Sequence, residues 1–459
     1  MERLSSFNPA TGETLGEVEI YSAEQVHRVV ERAREGLNFW QEEGIQRRVD
    51  ILKNFASLLL HEEPSLARLI TLEQGKILKE ATAELIDGAS RVRYFCAQVP
   101  NLLKPRQKHF AGFRAYVEQL PLGVVGAIKP WNFPLGIPLW TIVPALLAGN
   151  TVVFKPSELT PLIGARIVEL FHKAGVPASV LQLVQGLDAT GQALSRSAVQ
   201  MIGFVGSQAV GASIMRDASD DMKRLSLEMG GKDPMVVLED ADLVKASSAA
   251  VAGAFKNCGQ VCCSVERVYV HHTRFRAFVD MVVELTKALK IGSGLDEDSQ
   301  LGPLVSQDQR KRVLDLFEDA RCKGAKILTG QGCISGPGYF MEPSVMVDVP
   351  ASARLYSQEI FGPILQIESF DSESSAISMA NQFAYGLSAS VWSEDIGRAT
   401  RVLRKLEAGT RAVNQIPASN VELPWGGVKS SGFGRMLAEE GILEFTETIT
   451  TRLPAESSI

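Results

Sequence analysis

The stretch LGVVGAIKPWNFPLGIPLWTIVPALLAGNTVVFK, residues 122–155, decides the fold. It holds two short β-rich runs, Leu122–Ile128 and Thr151–Phe154, and between Lys129 and Lys155 lie 25 residues without a charge. By length alone such a run could span a bilayer. Pro130, Pro134, Pro138 and Pro144, with Gly136 and Gly149, would interrupt a spanning helix repeatedly, because proline removes an N–H and clashes with the preceding turn. The run therefore reads as helix and strand buried in a large core, and no membrane span is expected.

Outward from this stretch the same alternation continues. Val180–Val184 and Met201–Val205 read as buried strands, with Pro161–Lys173 and Gln208–Arg216 as the helices between them. Alternation of this kind indicates βαβ units and a mostly parallel sheet. A second series starts at Met235–Leu238 and runs through a helix at Leu243–Phe255, a strand at Arg267–Val270 and a helix at Arg274–Leu289. It continues through Gln307–Arg321, Ala325–Leu328 and Ala376–Asn381. The first hundred residues read mainly as helix: Ser22 is an N-cap, Val26, Val29, Val30, Ala33 and Leu37 follow at helical spacing, and Arg47–Leu60 repeats the pattern. No fixed-period repeat or low-complexity segment occurs. Two α/β domains are expected, meeting near Gly230-Gly231.

The composition agrees. A chain of 459 residues exceeds one ordinary hydrophobic core, and 45% hydrophobic with 22% charged residues describes a soluble globular protein. The net charge of −6 argues against a nucleic-acid partner. Six cysteines in so long a chain make no disulfide framework and point to a reducing, cytoplasmic setting. The opening MERLSSFNPA lacks the basic region and apolar core of a signal peptide.

Three places could carry chemistry. GQVCCS, residues 259–264, has two adjacent thiols; a cysteine is nucleophilic only as thiolate. On the residues alone these read as buried inert cysteines, as a nucleophile, or with Cys258 as metal ligands. No second Cys/His cluster with ligand spacing follows, so no metal is expected. His271-His272 reads as a solvated strand end. Glu228, in LEMGGKDP, is either a surface carboxylate before a turn or a buried one whose raised pKa suits a general base. Asn132, between Trp131 and Phe133, is either a structural clasp or an oxyanion donor, since an amide so deep needs a partner.

Six motifs occur in order: PWNFP (130–134), FVGSQAVG (204–211), LEMGGK (227–232), FKNCGQVC (255–262), EIFGP (359–363) and PWGGVKSSGFGR (424–435). Together they resemble the NAD(P)-dependent aldehyde dehydrogenase superfamily, from FNPATGE at residues 7–13 to the final strand. The intervals agree as well, with 34 positions from Glu228 to Cys262 and 97 from Cys262 to Glu359.

The resemblance implies two Rossmann-like parallel-sheet domains and a small oligomerisation hairpin. Residues 1–106 and 119–229 would form the cofactor-binding domain and 107–118 the hairpin. Residues 230–412 would form the catalytic domain, 413–441 a return segment lining the substrate pocket, and 442–459 an oligomerisation strand in a homodimer or homotetramer. Cys262 matches the nucleophile, with Cys263 only its neighbour. Asn132 and the Cys262 backbone N–H match the oxyanion donors, and Glu228 the base that activates water on the thioester. Lys155 and Glu158 match the pair on the adenosine ribose, where a carboxylate repels a 2′-phosphate and favours NAD over NADP. Trp131, Gly206, Ser207 and Gly211 fall at the pyrophosphate site, at a helix N-terminus. Glu359 and Phe361 match the residues at the nicotinamide ribose and ring. CoA-acylating relatives lack the glutamate, so Glu228 implies hydrolysis to a free acid.

Departures from the family pattern bear on the substrate. Trp140 is the tryptophan of generalist and amino-aldehyde enzymes, where succinate-semialdehyde enzymes carry arginine. Trp425 replaces a commoner Phe, as in betaine-aldehyde dehydrogenases, and with Trp140 could make an aromatic box for a cation. Lys256 stands where a betaine-type box has another Trp, and an ammonium there would attract a carboxylate. The balance favours a small neutral or anionic aldehyde such as succinate semialdehyde. A betaine- or amino-aldehyde enzyme and a catalytically idle relative of the same fold are the alternatives. Met436, where the family has glutamate, is a further departure.

Overall fold

The structure, a computed structural model, describes residues 2–110 and 113–454. The chain opens with a two-stranded antiparallel ribbon, Arg3–Phe7 against Thr14–Glu19, which the helical reading of the first hundred residues missed. Four helices follow: Ala23–Glu42, Gly44–His61, Glu63–Gln74 and Leu78–Leu102. Ser22 forms a full capping box with Gln25, each side chain bonding the other's backbone N–H.

The first large sheet has six strands in the order Gly432–Phe433, Arg224–Met229, Met201–Gly206, Val124–Ile128, Thr151–Lys155, Leu181–Leu183. All pairings are parallel except that of Gly432–Phe433. From Val124–Ile128 the chain steps outward through two strands, then returns and builds two on the other side. The direction therefore reverses between Val124–Ile128 and Met201–Gly206, and the crevice beyond the carboxyl ends of two such strands is where open α/β sheets bind ligands.

The uncharged run resolves into a helix, Gly136–Ala148, buried at all 13 positions, followed by the strand Thr151–Lys155. Two carbonyls of its last turn find donors on neighbouring helices. Trp40 Nε1 bonds Leu146 O at 2.9 Å and Arg48 Nε bonds Leu147 O at 3.1 Å, which satisfies groups a buried helix end otherwise leaves orphaned. Among the described residues no helix is long and apolar enough to cross a membrane.

Gly230, Gly231 and Lys232 carry the chain from Arg224–Met229 into the first strand of a second sheet. That sheet has seven strands, ordered Lys326–Thr329, Ser344–Val347, Ile364–Phe370, Val265–His271, Asp233–Val237, Ser388–Trp392, Thr410–Val413, with only the first antiparallel to its neighbour. His271 ends its strand and His272 is exposed beyond it. A third, antiparallel sheet joins Arg106–Phe110, Phe113–Pro121 and Thr446–Pro454. The sequence expectation of a hairpin at 107–118 includes residues 111 and 112, and that of a terminal strand includes 455–459; both sets lie outside the described residues.

Candidate active site

A cavity of about 220 Å³ opens at the sheet reversal. It is lined by Trp131, Asn132, Gly206, Ser207, Glu228, Cys262, Glu359 and Phe361. These residues come from five of the six motifs quoted above, and the fold delivers them to one place. Gln309 and Arg312 also line it. Among the described residues no group of three or more His, Cys, Asp or Glu is arranged to hold a metal.

Cys262 reaches the cavity through an unusual turn. Asn257, Cys258 and Gly259 have φ of 50°, 57° and 70°, a left-handed run that L-residues adopt only at a cost. At Gly259 a side chain would drive into the carbonyl oxygen of Gly362. Hydrogen bonds lock the turn to the Asn132 loop. Asn257 Nδ2 bonds Asn132 O at 3.1 Å, Lys76 Nζ bonds the same oxygen at 2.7 Å, and Asn132 Nδ2 bonds Gln260 O at 3.1 Å. Asn132 is thus a clasp. Its amide has a second N–H, and the residue lines the cavity.

Glu228 is 2% exposed. Its Oε1 accepts from Trp425 Nε1 at 3.3 Å, while Oε2 has no protein partner. Burial pushes its pKa up to about 7; the Trp425 N–H, the Cys262 thiol and the Lys129 ammonium oppose that rise. The Cys262 thiol is itself held well above its ordinary range, by a hydrogen bond with Cys263, by burial and by the Glu228 charge. Lys129 escaped the sequence reading. It follows Ile128, which pairs with Phe204, and so shares a row of the sheet with Val205 and Glu228. Burial lowers its pKa to about 7, against the attraction of Glu228. The available signal was a lone lysine at a strand end, directly before the uncharged run.

Around the crevice Ser207 caps the helix Gln208–Ser219, accepting from Val210 N, and the rings of Trp131 and Phe361 meet edge to face at 5.4 Å. Phe361 has φ of 52°. Its loop is held from both sides: the Glu266 carboxylate accepts the N–H groups of Ile360 and Phe361, and Arg312 donates to the carbonyls of Glu359 and Ile360, each at 2.7 Å. Glu359 packs where a side chain on Gly230 would sit; burial, then the Glu266 charge, raises its pKa to about 8. Lys155 ends the neighbouring strand, 3.9 Å from half-buried Glu158, beside the cavity rather than in its lining. Gly211 lies inside its helix, where a side chain would meet Met229, and so serves packing.

The three substrate candidates are less closely gathered. Trp140 and Trp425 meet edge to face at 6.5 Å, but the indole N–H of Trp425 is turned to Glu228. Lys256 is exposed, 5.9 Å from the Phe133 ring, in a groove with Glu80 and Phe255 and outside the Cys262 cavity. Met436 is buried and exchanges both backbone hydrogen bonds with Trp425, at 2.7 and 2.8 Å. Arg91, absent from the sequence reading, lies 5.2 Å over the Trp140 ring.

The aldehyde dehydrogenase family profile matches residues 1–451, and the chain belongs to that family. It is an NAD(P)-dependent aldehyde dehydrogenase. A glutarate-semialdehyde dehydrogenase of Pseudomonas putida is 37% identical, the match covering 96% of this chain and 92% of that protein. A peroxisomal aminoaldehyde dehydrogenase of Pisum sativum is 36% identical over 96% of this chain and 90% of its own length. The NAD+ complex of a Bacillus cereus aldehyde dehydrogenase superimposes with a TM-score of 0.96 at 33% identity, covering 99% of this chain and 94% of that one. The crevice at the sheet reversal, the capped helix start at Ser207 and the orphaned Oε1 of Glu359 fit a dinucleotide.

Proposed function

We propose that this enzyme oxidises a short neutral or anionic aldehyde to the free carboxylic acid, with NAD preferred to NADP, through a thioester on Cys262. The observation that carries the reading is Glu228 in the same cavity as Cys262, unpartnered at one oxygen and held near neutrality. Glu228 takes the thiol proton, and the Cys262 sulfur adds to the aldehyde carbon. The oxyanion receives N–H groups from Asn132 and from the Cys262 backbone. A nicotinamide held beside Glu359 and Phe361 would supply the hydride acceptor for that carbon. Glu228, its first proton released to solvent, draws a proton from water as the water attacks the thioester; the C–S bond breaks, the acid leaves, and Glu228 returns a proton to the Cys262 thiolate.

Glu158 beside Lys155 supports the NAD preference, since its charge opposes a 2′-phosphate. The likeness to a glutarate-semialdehyde dehydrogenase supports an anionic substrate. The aromatic Trp140–Trp425 pair and the likeness to an aminoaldehyde dehydrogenase support the second reading, an amino- or betaine-type aldehyde. The pairing of Phe113–Pro121 with Thr446–Pro454 supports a homo-oligomer built on that sheet. The deciding experiment follows NADH and NADPH formation side by side with succinate semialdehyde, glutarate semialdehyde, butanal, aminopropanal and betaine aldehyde. The highest kcat/KM belongs to a semialdehyde or butanal with NAD; dominance of either cationic aldehyde rejects the substrate reading.

A further inference from the structure

Three arginines are buried among the described residues: Arg48, Arg91 and Arg267. Two of them are clasps. Arg48 spends its guanidinium on the carbonyls of Leu147, Trp40 and Gln41. Arg267 bonds Lys232 O, the Tyr269 hydroxyl, Met379 O and Ala380 O. Arg91 differs. Its Nε and Nη2 share one oxygen of Asp87, each at 2.6 Å, and Nη2 also reaches Ser419 Oγ at 2.9 Å and Ser419 O at 3.3 Å. Its Nη1 is buried and bonds nothing. That nitrogen carries two N–H donors and cannot shed its charge, and a buried charged donor without an acceptor is costly.

The place of this nitrogen suggests what its acceptor is. Arg91 lies on the helix Leu78–Leu102, its guanidinium over Trp140. Trp140 touches Trp425, and Trp425 bonds Glu228 beside Cys262. A cation thus stands at one end of an aromatic wall whose other end is the nucleophile. The partner it shares, Ser419, belongs to the segment that leads into Trp425, and adds a hydroxyl at the same spot. Asp87, on the solvent side, occupies only the Nε and Nη2 edge.

We propose that Arg91 is the anion-recognising residue of the substrate site. Its Nη1, with the Ser419 hydroxyl beside it, takes the far carboxylate of a short semialdehyde whose carbonyl lies at Cys262 and whose methylenes lie along Trp140 and Trp425. The assignment rests on the reading that the substrate carries an anion, and it moves the charge selectivity from exposed Lys256 to a buried guanidinium, where water screens it less.

The test compares kcat/KM for succinate and glutarate semialdehyde with that for butanal and pentanal, at saturating NAD, in wild type, Arg91→Met and Lys256→Met. Loss of a charge-assisted pair predicts a drop of about 10- to 100-fold on the semialdehydes in Arg91→Met, carried mainly by KM. The neutral aldehydes lose far less, and their turnover certifies that the variant is folded. Arg91→Lys keeps the charge but not the fork, and retains part of the selectivity. Equal losses on charged and neutral aldehydes make Arg91 merely structural and overturn the proposal. So does a selective loss in Lys256→Met with none in Arg91→Met. If Arg91→Met does not fold, Ser419→Ala serves instead, with a smaller rise in KM confined to the semialdehydes; no such rise overturns the proposal. Wild type that takes butanal but neither semialdehyde rejects the anionic reading and Arg91 together, whereas semialdehyde turnover unaffected by Arg91→Met rejects Arg91 alone.

Discussion

Replacing Trp425 by Phe removes one atom group that matters to catalysis, the indole N–H, and keeps an aromatic ring against Trp140. In the resting enzyme Glu228 has two nearby donors, the Trp425 N–H and the Cys262 thiol. Once the sulfur is acylated the thiol proton is gone, and Trp425 is the side-chain donor that remains while water must be activated. The bond is 3.3 Å long, so its value lies at the weak end for a charged acceptor, about 1–1.5 kcal/mol. At 1.36 kcal/mol per unit, its loss raises the Glu228 pKa by about one unit. Glu228 begins near pKa 7, and as a base it works only when ionised. At pH 7 the ionised share falls from about half to about a tenth, so hydrolysis slows by about fivefold. Well above pH 8 both enzymes are ionised and the difference closes. Stopped-flow absorbance follows both steps: the NADH burst, for which Glu228 takes the thiol proton, and the steady state that follows, for which it activates water, slow together at pH 7 and recover by pH 9.5. A kcat profile whose midpoint does not move, or a loss of equal size at every pH, refutes the claim that Trp425 acts through the charge of Glu228.

Other perturbations read the remaining parts. Asn132→Ala deletes an oxyanion donor and should lower kcat by about 100- to 1,000-fold, with NAD binding by fluorescence quenching retained. Lys129→Met removes the buried cation in the sheet row of Glu228. The carboxylate then loses a stabilising charge, so the kcat midpoint moves to higher pH, and the midpoint is insensitive to added salt because the pair is buried. Glu158→Gln removes one repelling charge at the half-buried edge of the crevice. The NADP to NAD ratio of kcat/KM should rise about fivefold, the value of roughly 1 kcal/mol between charges in a wet setting; an unchanged ratio removes Glu158 from cofactor choice.

The central sheet was legible because its strands are short apolar runs separated by turn residues. Leu122–Ile128, Thr151–Phe154 and Met201–Val205 lie within a residue or two of the strands they describe. Where the cue was weaker, strands were passed over. Ser344–Val347 and Ser388–Trp392 are four and five residues long, too short for periodicity to separate strand from helix. Arg3–Phe7 and Thr14–Glu19 alternate weakly and are mostly half-exposed, so nothing marked them against the helices that follow. The motif residues Asn132, Cys262 and Glu359 could be named in advance, since each belongs to a local pattern. Arg91, Lys129, Glu266 and Arg312 could not. Arg91 acquires meaning from Ser419, 328 positions later, and Glu266 from Ile360, 94 positions later. Such pairings are products of the fold, and a helix face announces only that a residue is buried. The left-handed turn at Asn257 and Cys258 has no glycine or proline at those two positions to betray it.

In the proposed mechanism a single glutamate takes a proton from a thiol and later from water, which requires a pKa near the working pH. Burial alone would lift Glu228 further, because it penalises the charged carboxylate. Besides the Cys262 thiol, two groups hold it back, and they come from distant parts of the chain. Lys129 extends from Val124–Ile128, two strands away in the same sheet. Trp425 lies 197 positions beyond Glu228, anchored by its paired backbone bonds to Met436. Between those two residues the segment adds Gly432–Phe433 as the sheet's outermost strand, with Gly432 directly opposite Glu228. The surroundings of Glu228, the proposed general base, are therefore complete only when the returning segment has docked. The same segment carries Ser419 to Arg91, so the docking that tunes the base also brings together the groups proposed to hold the far end of the substrate.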